Sequence, residues 1–281
     1  MKMDTNQSMF KDVYIKGMDV DIHLLTKGNQ NGIPLIFLPG ITSYCNSFLD
    51  VMKRIPEEYY CLSVDLRGRG KSTWPSQGYL LKNYVDDLLY VINYVISNPI
   101  SPFLIGHSMG ARIAAAFGSQ FPKLLSGIVL VDPPIHGPGQ REEYPTPLAA
   151  FLEQKEAVDE GMIERFHSYF PHFNEAQLIQ RAEEYRNVAK QAIIESYQAF
   201  KKEPLHVYIK SLTIPSLLLQ AELGDTIRDE EMELMKRINP KMGTCKVKGA
   251  GHMIYKEKPD EFITYTLDFV KDTLNLSSVG F

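Results

Sequence analysis

The feature that most constrains this chain is Gly106-His107-Ser108-Met109-Gly110, set between an apolar run at 103–107 and a helix-forming run at 111–121. A strand that turns straight into a helix at such a pentapeptide presents its central serine on a sharp turn. The flanking glycines clear space around it, and the N-terminus of the next helix points at it. Ala111, Ala114, Ala115 and Ala116 let that helix lie close on a sheet. The same five residues elsewhere would be an ordinary glycine-rich turn, so the flanking elements decide how the motif is read.

Those elements alternate. Residues 13–16 and 20–24 flank Gly17 as a hairpin, and 34–38 is a short apolar run stopped by Pro39-Gly40. Short runs apolar on both faces suit strands of a parallel sheet. Residues 48–55 read as a helix and 60–64 as a strand. Val85, Leu88, Leu89, Ile92, Val95 and Ile96 keep helical spacing, with Asn83 as the expected cap and Asn98-Pro99 as the stop. Strands at 103–107 and 127–131 bracket the helix after Ser108. From Asp132-Pro133-Pro134 the rhythm breaks for about 70 residues that carry no strand pattern. Between Asn174 and Phe200 the positions Leu178, Ala182, Tyr185, Val188, Ala192 and Tyr197 follow a period near 3.6, and Asn174 with Gln177 reads as a capping box. Strand–helix alternation then resumes at 214–219, 230–238, 245–247 and 259–274. The expected architecture is an α/β core, 1–132 and 208–281, with a helical insertion at 133–207.

Composition narrows the function classes. Lys and Arg total 30 against 34 for Asp and Glu, a net charge of −4, which disfavours a nucleic-acid binder. The three cysteines, Cys45, Cys61 and Cys245, are far apart and odd in number, as suits a reducing cytosol. Residues 1–10 carry Asp4 and no apolar core, and no uncharged apolar run approaches a spanning length, so the expectation is a cytoplasmic protein without a membrane partner. Gly70-Lys71-Ser72 is not a phosphate loop, because Asp65 stands where a glycine is required; Arg67, Arg69 and Lys71 read as loop charges. His167 and His172 lack ligand company, and no metal site is expected.

A serine nucleophile needs a base. Of the seven histidines, His252 in Gly249-Ala250-Gly251-His252 follows the last strand and precedes the last helix, at the carboxyl edge of the sheet where open α/β folds bind ligands. His107 adjoins the serine but points to the other side of its strand and reads as structural. Oxyanion donors are expected from the backbone N–H of Met109, and from that of Ile41 in the loop after the third strand.

With these residues in place the chain resembles the α/β-hydrolase family, in its serine hydrolase branch. The resemblance rests on Leu38-Pro39-Gly40, Asp65-Leu66-Arg67-Gly68-Arg69-Gly70-Lys71-Ser72, the pentapeptide, the inserted lid and the terminal Gly251-His252. It implies a cofactor-free hydrolase: Ser108 attacks an ester or amide carbonyl, His252 shuttles the proton, and an acyl-enzyme is hydrolysed. The lid implies a small-molecule substrate; Tyr144, Tyr169, Tyr185 and Tyr197 are candidates for its aromatic walls. A perhydrolase with the same residues, or a ligand receptor or scaffold on this fold, stands as the alternative.

The stretch Val131-Asp132-Pro133-Pro134-Ile135-His136-Gly137-Pro138-Gly139-Gln140-Arg141 is similar to the N-formylmaleamate deformylases, which hydrolyse an N-formyl amide on a small dicarboxylate-derived substrate. This implies Ser108, Asp132 and His252 as the triad. It also calls for a cation near the pocket, for which His136 and Arg141 are the candidates. Asp225, after the seventh strand, is the alternative acid, at the commoner position for this fold. Its loop, Gln220-Ala221-Glu222-Leu223-Gly224-Asp225, is a residue longer than usual, which favours Asp132.

Overall fold

The structure, a computed structural model, describes residues 9–142, 144–171 and 173–278. Most of the segment 1–10 and all of His172 lie outside the described residues. The strands are β1 (Lys11–Lys16), β2 (Asp21–Lys27), β3 (Ile33–Leu38), β4 (Tyr59–Val64), β5 (Phe103–His107), β6 (Gly127–Val131), β7 (Ser216–Ala221) and β8 (Gly243–Val247). They form one sheet in the order β1-β2-β4-β3-β5-β6-β7-β8. β2 pairs antiparallel with β1 and β4, and all other pairs are parallel. Gly17 N–H donates to the Val20 carbonyl at 2.9 Å and closes the first hairpin.

Alternation along the central strands explains why they are apolar throughout. Leu38, Leu104 and Leu130 face one core layer, with α2 (Leu81–Val95), α3 (Met109–Gln120) and α9 (Asp229–Ile238). Phe37, Ile105 and Val131 face the other, with α1 (Leu49–Arg54) and α11 (Pro259–Ser278). Each of these central strands is buried on both faces, so its run is mostly apolar rather than alternating with exposed polar side chains. At the start of α2 the sequence expectation is corrected: Leu80 occupies the N-cap, and Asn83, at the third helical position, reaches back to accept from Leu80 N–H at 3.2 Å.

Among the described residues between β6 and β7 the named elements are helices: α4 (Leu148–Asp159), α5 (Ile163–Ser168), α6 (Glu175–Arg186), α7 (Lys190–Phe200) and α8 (Leu205–Ser211). The capping box at α6 forms as expected: Gln177 N–H donates to Asn174 and Asn174 N–H to Gln177, each at 2.9 Å. The periodic stretch 174–200 is two helices rather than one. At residues 187–189 the chain leaves the helix to pair with the loop after β4. Gly70 N–H donates to the Asn187 carbonyl at 2.8 Å, Ala189 N–H donates to Gly68 at 2.9 Å, and Arg69 bridges Val188. The expected limit at 207 falls inside α8, which packs on α3 and α9. Arg112, 1% exposed, ties both ends of the insertion to α3. It donates to the carbonyls of Pro134 at 2.7 Å, Phe200 at 3.1 Å and Glu203.

Arg67 and Arg69 are not loop charges. Arg67 is buried against Asp87 and Asp19, and Arg69 is 0% exposed and bonded to the Tyr84 hydroxyl and the carbonyls of Ile41 and Arg67. Lys71 does stay at the surface, paired with Asp12. His23, Cys45 and Asp65 form a buried group close enough to share an ion. Its polar atoms are already occupied: Asp65 accepts from His23, Cys45 N–H and Lys71 N–H, and the other His23 nitrogen meets Asp12. Hydrogen bonding accounts for the group without an ion.

Helix α3 crosses β3 so closely that a Cβ on Gly110 would come 2.1 Å from the Leu38 carbonyl oxygen, and one on Gly106 would come 2.3 Å from that of Gly110. Backbone cannot yield as a side-chain end can. Gly110→Ala is therefore expected to cost about 3 kcal/mol, at the upper end of overpacking penalties. A urea melt checks this; a midpoint within error of the unsubstituted protein would show that the helix can slide.

Candidate active site

The turn from β5 into α3 holds Ser108 at φ +55°, ψ −115°, a left-handed backbone that costs a non-glycine residue about 1–3 kcal/mol. Two contacts hold it there: Ser108 N–H donates to the Val131 carbonyl at 2.9 Å, and the two glycines admit the crossing helix. At the end of the neighbouring strand β6, Asp132 is the other described non-glycine residue with positive φ, at +46°. It is fully buried. Its Oδ1 accepts from Ala221 N–H at 3.0 Å, and its Oδ2 lies 2.7 Å from His252 Nδ1. An ionised carboxylate at that nitrogen keeps the proton on Nδ1 and leaves Nε2 free to act as a base.

Ser108 and His252 line one cavity of about 340 Å³, with Gly40, Ile41, Thr42 and Ser43 from the β3 loop and Tyr144, Phe151, Phe170 and Arg181 from the insertion. That volume is at the small end for ligand sites. Among the described residues, neither Ile41 N–H nor Met109 N–H has a backbone acceptor. Met109 is the first residue of α3, where a free N–H is the rule. The next peptide along, Ile41–Thr42, is held through the Ile41 carbonyl, which accepts from Arg69 Nε at 3.2 Å and Nη2 at 3.0 Å.

Asp225 is not brought to the histidine. Its carboxylate is exposed and paired with Arg228 at 2.7 Å and Arg141 at 3.1 Å, and these bonds hold it below the usual carboxylate range. The longer loop instead places Thr226, which no sequence pattern singles out: its Oγ1 is 3.1 Å from His252 Nδ1.

The two candidate cations are also corrected. Arg141 is bound to Glu231 at 3.0 and 2.7 Å and to the carbonyls of Asp225 and Thr226, and it does not line the cavity. His136 is fully buried edge-on to Tyr144, with ring centroids 4.4 Å apart. The arginine that does line the cavity is Arg181 on α6, 4% exposed, with its guanidinium over the rings of Tyr185 and Phe170. Its signal was present in the sequence: Leu178, Arg181 and Tyr185 share one helix face, so a charge sits on the apolar stripe.

Of the four tyrosines expected as walls, Tyr144 alone lines the cavity. Burial, opposed by Arg112 and the Ser108 side chain, pushes its pKa up to about 12. His107 does more than fill space. Its Nε2 donates to the His252 carbonyl at 2.9 Å, and its ring lies 4.6 Å from that of His252, so it braces the histidine loop. Burial and the neighbouring His252 hold its pKa well below the ordinary value.

Burial, with Arg112 nearby, also pushes His136 down to about 3. The unfolded chain gains a proton at this residue below about pH 6.5, whereas the folded one resists. Stability from the neutral ring is thus complete above about pH 6.5 and is lost as pH falls toward 3. Each such histidine adds up to about 1.4 kcal/mol per pH unit. His136→Phe should flatten the decline of urea-melt stability between pH 6 and 4; an unchanged slope would mean that the folded protein protonates this ring.

Comparison with known proteins agrees with this architecture. A family model described as alpha/beta hydrolase fold matches residues 33–259. N-formylmaleamate deformylase of Pseudomonas putida is 30% identical over 255 residues, spanning 90% of this chain and 93% of that protein. 2-(Acetamidomethylene)succinate hydrolase of Mesorhizobium japonicum is 24% identical over 287 residues, spanning 95% of this chain and 99% of that protein. Among solved structures, N-formylmaleamic acid deformylase from Pseudomonas putida S16 superposes with a TM-score of 0.82 at 29% identity, covering 90% of this chain and 99% of that one. With its eight-stranded sheet, its serine turn and the family match over most of its length, the chain belongs to the alpha/beta hydrolase fold family.

Proposed function

We propose that this protein hydrolyses a small amide or ester, with an N-formyl or other short N-acyl amide bearing a carboxylate as the favoured substrate class. The observation that carries the reading is a single small cavity lined by Ser108 and His252, with the buried Asp132 carboxylate 2.7 Å behind the histidine. In this mechanism His252 Nε2 takes the Ser108 proton as Oγ attacks the carbonyl carbon. Negative charge on the tetrahedral oxygen is met by the N–H groups of Met109 and Ile41, and Asp132 stabilises the imidazolium. His252 returns the proton to the leaving nitrogen or oxygen. A water then repeats the attack on the acyl-enzyme, releasing the acid and restoring Ser108. No cofactor enters these steps.

Substrate class is supported by three things. The relatives named above act on an N-formyl and an acetamido substrate. The cavity is too small for a long acyl chain lying within it. Arg181 supplies positive charge at its wall. The insertion acts as the lid that roofs this space. Among the described residues no helix is long and apolar enough to cross a membrane. The three cysteines are free, which supports a reducing compartment.

Ser108→Ala should fold normally, lose labelling by a fluorophosphonate probe, and lose turnover on the order of a million-fold, as triad knockouts do elsewhere. Asp132→Asn should cost at least about a hundredfold in kcat, and Asp225→Asn less than about tenfold. The reverse ranking in folded variants would move the acid role to Asp225.

A substrate panel read by acid release tests the class. Carboxylate-bearing N-formyl amides should exceed neutral long-chain esters in kcat/KM. A preference that rises with acyl length would defeat the proposal in favour of a lipase-like esterase.

A further inference from the structure

Away from Ser108, His252 and Asp132, a set of charges is centred on the buried Glu184 of α6, which is 1% exposed. Its Oε1 accepts from Ser47 Oγ at 2.8 Å and from Lys256 Nζ at 2.5 Å, and its Oε2 accepts from Arg181 Nη1 at 2.6 Å. Burial alone would raise this carboxyl, but Lys256 and Arg181, with the bonds from Lys256 and Ser47, hold it below the ordinary value and therefore ionised.

The three partners come from three different parts of the molecule. Ser47 lies in the 3-10 turn Cys45–Phe48, just after the oxyanion loop. Lys256 lies in α10 (Ile254–Glu257), four residues beyond His252. Arg181 belongs to the lid, and it also reaches the residue after Ile41: Nη2 donates to Thr42 Oγ1 at 2.6 Å and Nη1 to the Thr42 carbonyl at 3.2 Å. One carboxylate thus touches the segment after the oxyanion loop and the segment after the base. Through one arginine it also touches the oxyanion loop itself.

We propose that Glu184 is a positioning residue that holds the Ile41–Thr42 loop and the His252 loop in register beneath the lid, so that the oxyanion pocket is complete only with α6 seated. The proposal rests on the serine-hydrolase reading, in which Ile41 N–H serves the oxyanion. The competing role is charge compensation. Arg181, buried, and Lys256, partly buried, are two cations facing one buried anion, and a merely structural Glu184 would do no more than offset them. The two roles separate when the charge is restored without the carboxylate.

The experiment compares Glu184→Gln with the double variant Glu184→Gln/Lys256→Met. The readouts are Tm, kcat and KM on p-nitrophenyl acetate, and the rate of fluorophosphonate labelling at Ser108. The single variant should lose about tenfold or more in kcat with KM changed less than about threefold, and labelling should slow in parallel, because phosphonylation also places an oxyanion in the pocket. In the double variant Tm should recover while kcat and labelling stay low.

Recovery of kcat together with Tm would overturn the proposal in favour of charge balance, as would a single variant with kcat within twofold of the unsubstituted protein. If the single variant does not fold, the charge-balanced double variant decides between the two roles: low kcat at restored Tm supports the proposal and full kcat overturns it. An unsubstituted protein that neither labels nor turns over would instead remove the serine-hydrolase reading, and this proposal with it, a pattern distinct from any difference among variants.

Discussion

Everything at the carboxyl edge of the sheet depends on how close α3 comes to β3. Gly106 and Gly110 are bare of side chains where a Cβ would strike a carbonyl oxygen, and that contact lets the backbone turn within one residue from strand to helix. The strain of the turn falls on Ser108. Among the described residues the first N–H of α3, that of Met109 directly after the serine, has no backbone acceptor, so the strained turn and an unpaired donor arise from the same crossing. Sheet hydrogen bonding propagates this geometry sideways. Val131 accepts from Ser108 N–H, and the next residue along, Asp132, turns out of β6 to meet His252.

How much of this was legible follows from the range over which each signal acts. Strand positions were readable because burial on both faces leaves unbroken apolar runs, and the β5 and β6 bounds were found to the residue. The Asn174 capping box was readable because its partners are three residues apart. Asn83 was misread as a cap because the third helical position and the N-cap use the same side-chain chemistry from opposite ends of one turn. The break at residues 187–189 could not be seen in a periodic sequence, since its cause is pairing with Gly68 and Gly70, more than a hundred residues away.

Charged residues were the least legible. Arg67, Arg69, Arg112 and Arg181 are all buried, and a sequence in isolation makes the surface the default for arginine. In the structure Arg69 and Arg112 bond mainly to backbone carbonyls, Arg67 to Asp87 and Asp19, and Arg181 to Thr42 and Glu184, several partners at once that suit a flat fork of five donors better than a lysine ammonium. His136 and Arg141 lie beside Asp132 in sequence, yet one is sealed beneath Tyr144 and the other is clamped by Glu231. Nearness along the chain to a site residue said little about which way the following loop would turn.

The Arg112 staple has a consequence for the length of the insertion. Because one guanidinium holds the carbonyls of Pro134, Phe200 and Glu203, the insertion leaves and re-enters the core at nearly the same point. It is therefore a closed loop whose ends are fixed whatever lies between them. Closure entropy grows only with the logarithm of loop length, about 0.6 kcal/mol for each doubling. Helices can be added to or taken from the roof at small thermodynamic cost while the sheet edge beneath stays unchanged, and a fold built this way can vary the space above one serine without rebuilding the turn that holds it.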